Sequence, residues 1–125
     1  MITITKNSRK VFEAEEADNL IKKIAGLSFR GRLPKNCAML FSFPVEHRWS
    51  FWMFGMRFPI DIMFLDRKGR VVHIEKNAKP FSLDPSTWKT LKPEKKFMHA
   101  VEINAGEAKN KRIKVGDALT FTSRS

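Results

Sequence analysis

Apolar and polar residues alternate with a period of two over much of this chain, the spacing of strands that bury at least one face. Ile2–Thr5 reads Ile-Thr-Ile-Thr, a short strand. Cys37–Phe43 is an apolar run of strand length stopped by Pro44, and Ser50–Phe54 resumes the pattern. Ile60–Leu65 and Arg70–Glu75 flank Asp66-Arg67-Lys68-Gly69, where Gly69 suits the left-handed position of a short hairpin loop. Phe97–Ile103 is a strand ended by Asn104-Ala105-Gly106, and Ile113–Asp117 reads as a turn feeding the last strand, Ala118–Thr122.

One segment follows a different period. Glu13–Ile24 places Ala14, Ala17, Leu20, Ile21 and Ile24 on one helical stripe, with acids in its first turn and Lys22-Lys23 in its last. Gly26 stands where a helix C′ residue is expected. Gly26–Pro34 then reads as an irregular loop, and Lys76–Lys96, with three prolines, as a long surface excursion. The expectation is a single mainly β domain: an antiparallel β-sandwich or partly open barrel with one early helix over about 13–24, a β-rich body over about 37–122 and a long loop over about 76–96.

Within the β body, Trp49–Asp66 concentrates two of the three tryptophans. Its strand sets Ile60, Ile62 and Phe64 on one face and Asp61, Met63 and Leu65 on the other. A carboxylate among apolar neighbours costs several kcal/mol unless it is hydrogen-bonded or paired, and Asp61 is therefore the residue to explain. Glu102 stands in the same position relative to Met98 and Ala100. The two acids could form an acid/base pair, or each could accept hydrogen bonds from loop amides and pair with an arginine such as Arg30.

The ordered motifs Gly26-Leu27-Ser28-Phe29-Arg30, Phe51-Trp52-Met53, Pro59-Ile60-Asp61-Ile62, Val101-Glu102-Ile103-Asn104-Ala105-Gly106 and Gly116-Asp117 resemble a widespread prokaryotic family of small uncharacterised proteins, a domain of unknown function. The likeness runs roughly from Leu20 to Phe121. It implies a small jelly-roll-like β-sandwich with a helix packed alongside, and no reaction. Two places after Met53 the family usually carries a polar residue, and here that place is Gly55.

Composition adds one unusual number, a net charge of +11 in 125 residues, which favours an anionic partner or simply a solvated basic face. The chain has no apolar run of 18 residues and no apolar segment of signal-peptide character at Met1–Thr5, so neither a membrane span nor secretion is expected. A single cysteine, Cys37, excludes an intramolecular disulfide, and the expected compartment is the cytoplasm. His47, His73 and His99 stand alone in different segments, without zinc-ligand spacing, and no phosphate-cradling glycine loop is present. No metal or cofactor is expected.

Three functions compete. The first is a non-catalytic, monomeric binding module for a small polar ligand or protein partner, with Arg30, Trp52, Met53, Asp61 and Glu102 as the site. The second is nucleic-acid binding along Lys89–Lys114, with Trp88 as a stacking platform and Lys89, Lys92, Lys95, Lys96, Lys111 and Arg112 on phosphates. The third is a hydrolase using Asp61 and Glu102.

Overall fold

The computed structural model describes residues 2–16, 33–49, 51–52, 58–78, 90–91 and 93–123. The strands are β1 (Ile2–Lys6), β2 (Arg9–Glu16), β3 (Cys37–His47), β4 (Phe51–Trp52), β5 (Ile60–Leu65), β6 (Val71–Ala78), β7 (Thr90–Leu91), β8 (Phe97–Asn104) and β9 (Thr120–Ser123). One short helix, α1 (Glu107–Asn110), lies among the described residues. Seven strands form one sheet in the order β6-β5-β8-β3-β2-β1-β9, and β4 pairs with β7 in a separate two-stranded ribbon. The mainly β class expected from the alternating pattern is the observed one.

The sheet is antiparallel except between β2 and β3, which run parallel with Glu13 opposite Cys37 and Glu16 opposite Leu40. A parallel neighbour needs a crossover connection rather than a hairpin, a feature the period-2 pattern does not carry. The two sides of the sheet come close without pairing strand to strand. Arg70 bridges Ala118, Leu119 N–H donates to the Gly69 carbonyl at 2.8 Å, and Val71 N–H donates to the Asp117 carbonyl at 2.8 Å. The barrel therefore stays open, stitched by a few bonds between the β5–β6 hairpin and the segment leading into β9.

Two apolar clusters cover the two faces. One contains Ile4, Phe12, Met63, Leu65, Val101 and Ile103, and the other Met39, Phe41, Ile60, Ile62, Phe64 and Phe97. β5 sits between them, and all six of its residues are buried. Phe97 meets Phe64 edge to face at 4.8 Å and Phe43 at 5.7 Å, and Phe43 stacks on Trp49 at 5.0 Å. This part of the aromatic-rich sequence is core packing.

Local turns follow from residue type. Asp66 Oδ1 accepts from the N–H groups of Lys68 and Arg70, each at 2.9 Å, closing the β5–β6 hairpin as an Asx turn. Gly69 has φ +85°, and a side chain there would run into the Leu119 carbonyl oxygen, so only glycine fits both the conformation and the stitch.

Three boundaries differ from the sequence reading. Glu13–Glu16 belong to β2 rather than to a helix, and the rest of the expected helix lies outside the described residues. β2 buries Phe12 and Ala14 in alternation, while Glu13 accepts from Thr3 Oγ1 at 3.0 Å and pairs with Lys10 at 2.7 Å. Sheet pairing outweighs the helical spacing of the alanines. Pro44 does not stop β3, because the register against β8 slips between Ser42 and His47 and β2 pairs only as far as Leu40. The proline thus stands where no ladder N–H is required. The expected long loop is also shorter, since Lys76–Ala78 continue β6 and Thr90–Leu91 form β7.

Candidate functional site

Asp61 stands second in β5, 2 % exposed, and faces the cluster that contains Met63 and Ile103. Its Oδ1 accepts from Asn77 N–H at 2.9 Å, and its Oδ2 accepts from Gly106 N–H at 3.0 Å and Ala108 N–H at 3.2 Å. The second pair of bonds explains α1. Gly106 is the residue that caps α1, at φ +90°, and has no side chain to offer. Asp61 supplies the missing cap from a distant strand, satisfying amides that the first turn leaves unpartnered and placing negative charge at the positive end of the helix. Its carboxylate is the clasp that fixes the β8–α1 turn to the start of β5.

Glu102 is equally buried, 2 % exposed, but it faces the other way. Ile62 and Met39 lie directly opposite it on the adjacent strands, and both belong to the second cluster. Among the described residues no hydrogen-bond partner reaches its Oε2. Burial without a compensating charge pushes its carboxyl up to about 8, so it is a neutral acid at neutral pH. Cross-strand neighbours share a face, and Asp61 is opposite Ile103 whereas Glu102 is opposite Ile62. The sheet therefore separates the two acids, and no acid/base pair forms between them.

A pocket of about 440 Å³ opens on Glu102's side, where β5 begins and β8 ends, lined by Leu33, Lys35, Phe58, Pro59, Asn104, Ala105 and Glu107. Leu33, Phe58 and Pro59 make an apolar wall, while Lys35 and Glu107 bring one charge of each sign. The Asn104 amide braces the wall with both of its ends. Its Oδ1 accepts from Leu33 N–H at 2.8 Å and its Nδ2 donates to the Leu33 carbonyl at 2.9 Å, so the side chain imitates a strand partner. Asp61 holds the opposite rim through Gly106 and Ala108. Glu102 lies two residues before Asn104 on β8 and points to the same side of the sheet.

Of the residues expected to form one site, Asp61 and Glu102 are described in full and lie on opposite faces. Trp52 is described by its backbone, which pairs with Thr90. Arg30, Met53, Trp88, Lys89 and Lys92 lie outside the described residues. Lys95 and Lys96 precede β8 whereas Lys111 and Arg112 follow it, so eight residues of strand, on the order of 25 Å, separate the two pairs. Lys111 Nζ donates to Asn36 Oδ1 at 2.7 Å and stands 5.8 Å from the centre of the Phe12 ring. No group of three or more His, Cys, Asp or Glu is placed to hold a metal ion among the described residues. No helix among them is long and apolar enough to cross a membrane.

The pocket residues Lys35, Phe58, Pro59, Asn104 and Glu107 are those that sequence reasoning missed. The one available signal was Pro59 beside Asp61 and Asn104-Ala105-Gly106 after Glu102, two turn-forming ends in the same ordered motifs.

An open, clasped β-sheet of this kind defines a class before it defines a chemistry, and the sequence match narrows the class. The chain belongs to the DUF192 family, described as "Uncharacterized ACR", whose family model matches residues 2–121. A UPF0127 protein of Pyrococcus furiosus is 31% identical over 123 residues, covering 97% of each chain. A UPF0127 protein of Pyrococcus abyssi is 29% identical over 123 residues, covering 97% of this chain and 96% of its own. A crystallised protein of unknown function from Novosphingobium aromaticivorans superposes with a TM-score of 0.76 at 30% identity, over 95% of this chain and 82% of that one. A crystallised candidate transcription regulator from Sinorhizobium meliloti superposes with a TM-score of 0.77 at 24% identity, over 96% of this chain and 91% of that one, a likeness of fold.

Proposed function

We propose that this protein is a binding module for a small polar ligand, taken up in the pocket between Leu33–Lys35, Phe58–Pro59 and Asn104–Glu107. The observation that carries the proposal is the pocket itself. At about 440 Å³ it falls in the size range of small-molecule sites, with an apolar wall and a few polar groups at its edge. Its rims are also held by built-in devices, the Asn104–Leu33 amide pair on one side and the Asp61 clasp on the other. Such bracing preorganises a site and lowers the ordering cost of binding. We take the module to be monomeric, non-catalytic and cytoplasmic, the last because its single cysteine, Cys37, leaves it no internal disulfide.

The test is a thermal-shift screen with free amino acids, dicarboxylic acids and inorganic phosphate, run on the native chain and on Ala105→Trp. Ala105 is exposed at the pocket edge, so the indole would fill the opening without disturbing the core. A ligand present at about 100 times its Kd should stabilise the native chain by about 2.7 kcal/mol, and this gain should vanish in Ala105→Trp. Stabilisation that survives the filled opening, or none from any compound class, would refute the reading.

The alternatives fit less well. A nucleic-acid face running along Lys89–Lys114 is interrupted by β8, and a hydrolase built on Asp61 and Glu102 is divided by the sheet.

A further inference from the structure

Five exposed cations gather at one end of the sheet, from segments far apart in sequence: Arg9, Lys35, Lys109, Arg112 and Lys114. Hydrogen bonds and strand pairing connect their neighbourhoods. Lys35 adjoins Asn36, whose Oδ1 accepts from Lys111 Nζ at 2.7 Å. Arg112 N–H donates to the Lys109 carbonyl at 3.0 Å, and the Arg112 carbonyl accepts from Lys6 Nζ. Lys6 stands opposite Arg9 across the β1–β2 turn. Asp117 Oδ2 pairs with Lys6 Nζ at 3.0 Å and accepts from Lys114 N–H at 2.8 Å.

The carboxylates of this end are already engaged. Asp117 is matched by Lys6 and Glu13 by Lys10, while Glu107 accepts from the neutral Asn110 Nδ2 at 3.2 Å and leaves one negative charge against the five cations. None of the five exposed cations forms an ion pair among the described residues, although Lys114 lies close enough to Asp117 to help hold its carboxyl below the usual carboxylate range. No exposed aromatic side chain lies among them within the described residues, so the surface has charge without a stacking platform. Single strands are held by grooves that combine charge with stacked bases, whereas a duplex backbone needs only positioned cations.

We infer that this end of the sheet is a docking surface for the phosphate backbone of a double-stranded nucleic acid, bound without regard to sequence. It keeps only the end of the Lys89–Lys114 stretch beyond β8, at Lys109, Arg112 and Lys114, and joins to it Arg9 of β2 and Lys35 before β3. It shares only Lys35 with the pocket, and a thermal-shift screen reads ligand uptake there separately.

Fluorescence anisotropy with a short labelled DNA duplex tests the inference. Five phosphate contacts predict a salt slope of about −4.5, hence an affinity about 500-fold weaker at about 200 mM than at about 50 mM salt. The triple variant Arg9→Gln/Lys109→Gln/Lys114→Gln spares the pocket and should flatten that loss to about 12-fold. The control Lys95→Gln/Lys96→Gln, on the far side of β8, should keep the full slope. The inference is overturned by no binding at about 50 mM salt, by a control as flat as the triple variant, or by capture of inorganic polyphosphate in preference to the duplex.

Discussion

Replacing Asp61 by asparagine is the most direct probe of how the pocket is held. The carboxylate accepts three backbone N–H bonds, at 2.9, 3.0 and 3.2 Å, from Asn77, Gly106 and Ala108. Asparagine is nearly the same size but offers a single oxygen and an NH2 group that can only donate. If its oxygen turns toward α1, the NH2 confronts Asn77 N–H; if it turns toward Asn77, the NH2 confronts two helix amides. Either way at least one charge-assisted bond is replaced by two opposed donors at a site where Asp61 is 2 % exposed. Hydrogen bonds to charged groups contribute about 1.5–3 kcal/mol each, and a donor left unsatisfied adds about 1–3 kcal/mol. The expected loss is therefore roughly 3 kcal/mol, a large fraction of the stability of an ordinary domain. For a chain of this length that corresponds to a fall in Tm on the order of 10 °C. Amide hydrogen exchange gives the local readout, since Gly106 and Ala108 should lose protection while the β3–β8 amides keep their order of protection. A variant within about 2 °C of the native Tm, with Gly106 and Ala108 still protected, would show that the clasp does not hold α1.

The remaining predictions concern other single residues. Glu102, raised from 4.5 to about 8 by burial, remains protonated in the folded chain over a window in which the unfolded chain has lost that proton. Stability should be highest below about pH 4.5 on this account and fall as pH rises toward about 8, by up to roughly 4 kcal/mol. Urea denaturation at pH 5 and at pH 8 measures this; Glu102→Gln should flatten the difference, and an unchanged slope would exclude Glu102 as its source. Gly69→Ala should cost more than Gly106→Ala, because both have positive φ but only Gly69 has a backbone oxygen in the way of a side chain. The strain alone is about 1–2 kcal/mol, and the clash with Leu119 adds to it; equal Tm values for the two variants would contradict this. Asn104→Asp keeps the acceptor for Leu33 N–H but removes the donor to its carbonyl, and should cost about 1–2 kcal/mol while weakening any ligand stabilisation at the pocket.

The alternation of Ile60–Leu65 and Phe97–Ile103 was enough to mark the two central strands, because a strand's faces are written directly in neighbouring residues. The same logic singled out Asp61 and Glu102 as buried carboxyl groups, and both are buried. The hairpin at Asp66–Gly69 was equally legible, since Asx bonding and positive φ are properties of the residues themselves. What a single sequence does not contain is which strands become neighbours and in what register. That information made β2 a parallel partner of β3, where the alanine spacing of Glu13–Ile24 suggested a helix. It also placed Ile103, not Glu102, opposite Asp61, separating by a sheet two acids that a list of candidates would join. The pocket and the basic end have the same origin. Lys35, Phe58 and Glu107, or Arg9 and Lys114, carry no mutual signal along the chain, and their proximity exists only once long-range pairing has been made. Periodicity is local and so determined the strands and their buried faces, whereas topology and register are non-local and only the tertiary structure could decide them.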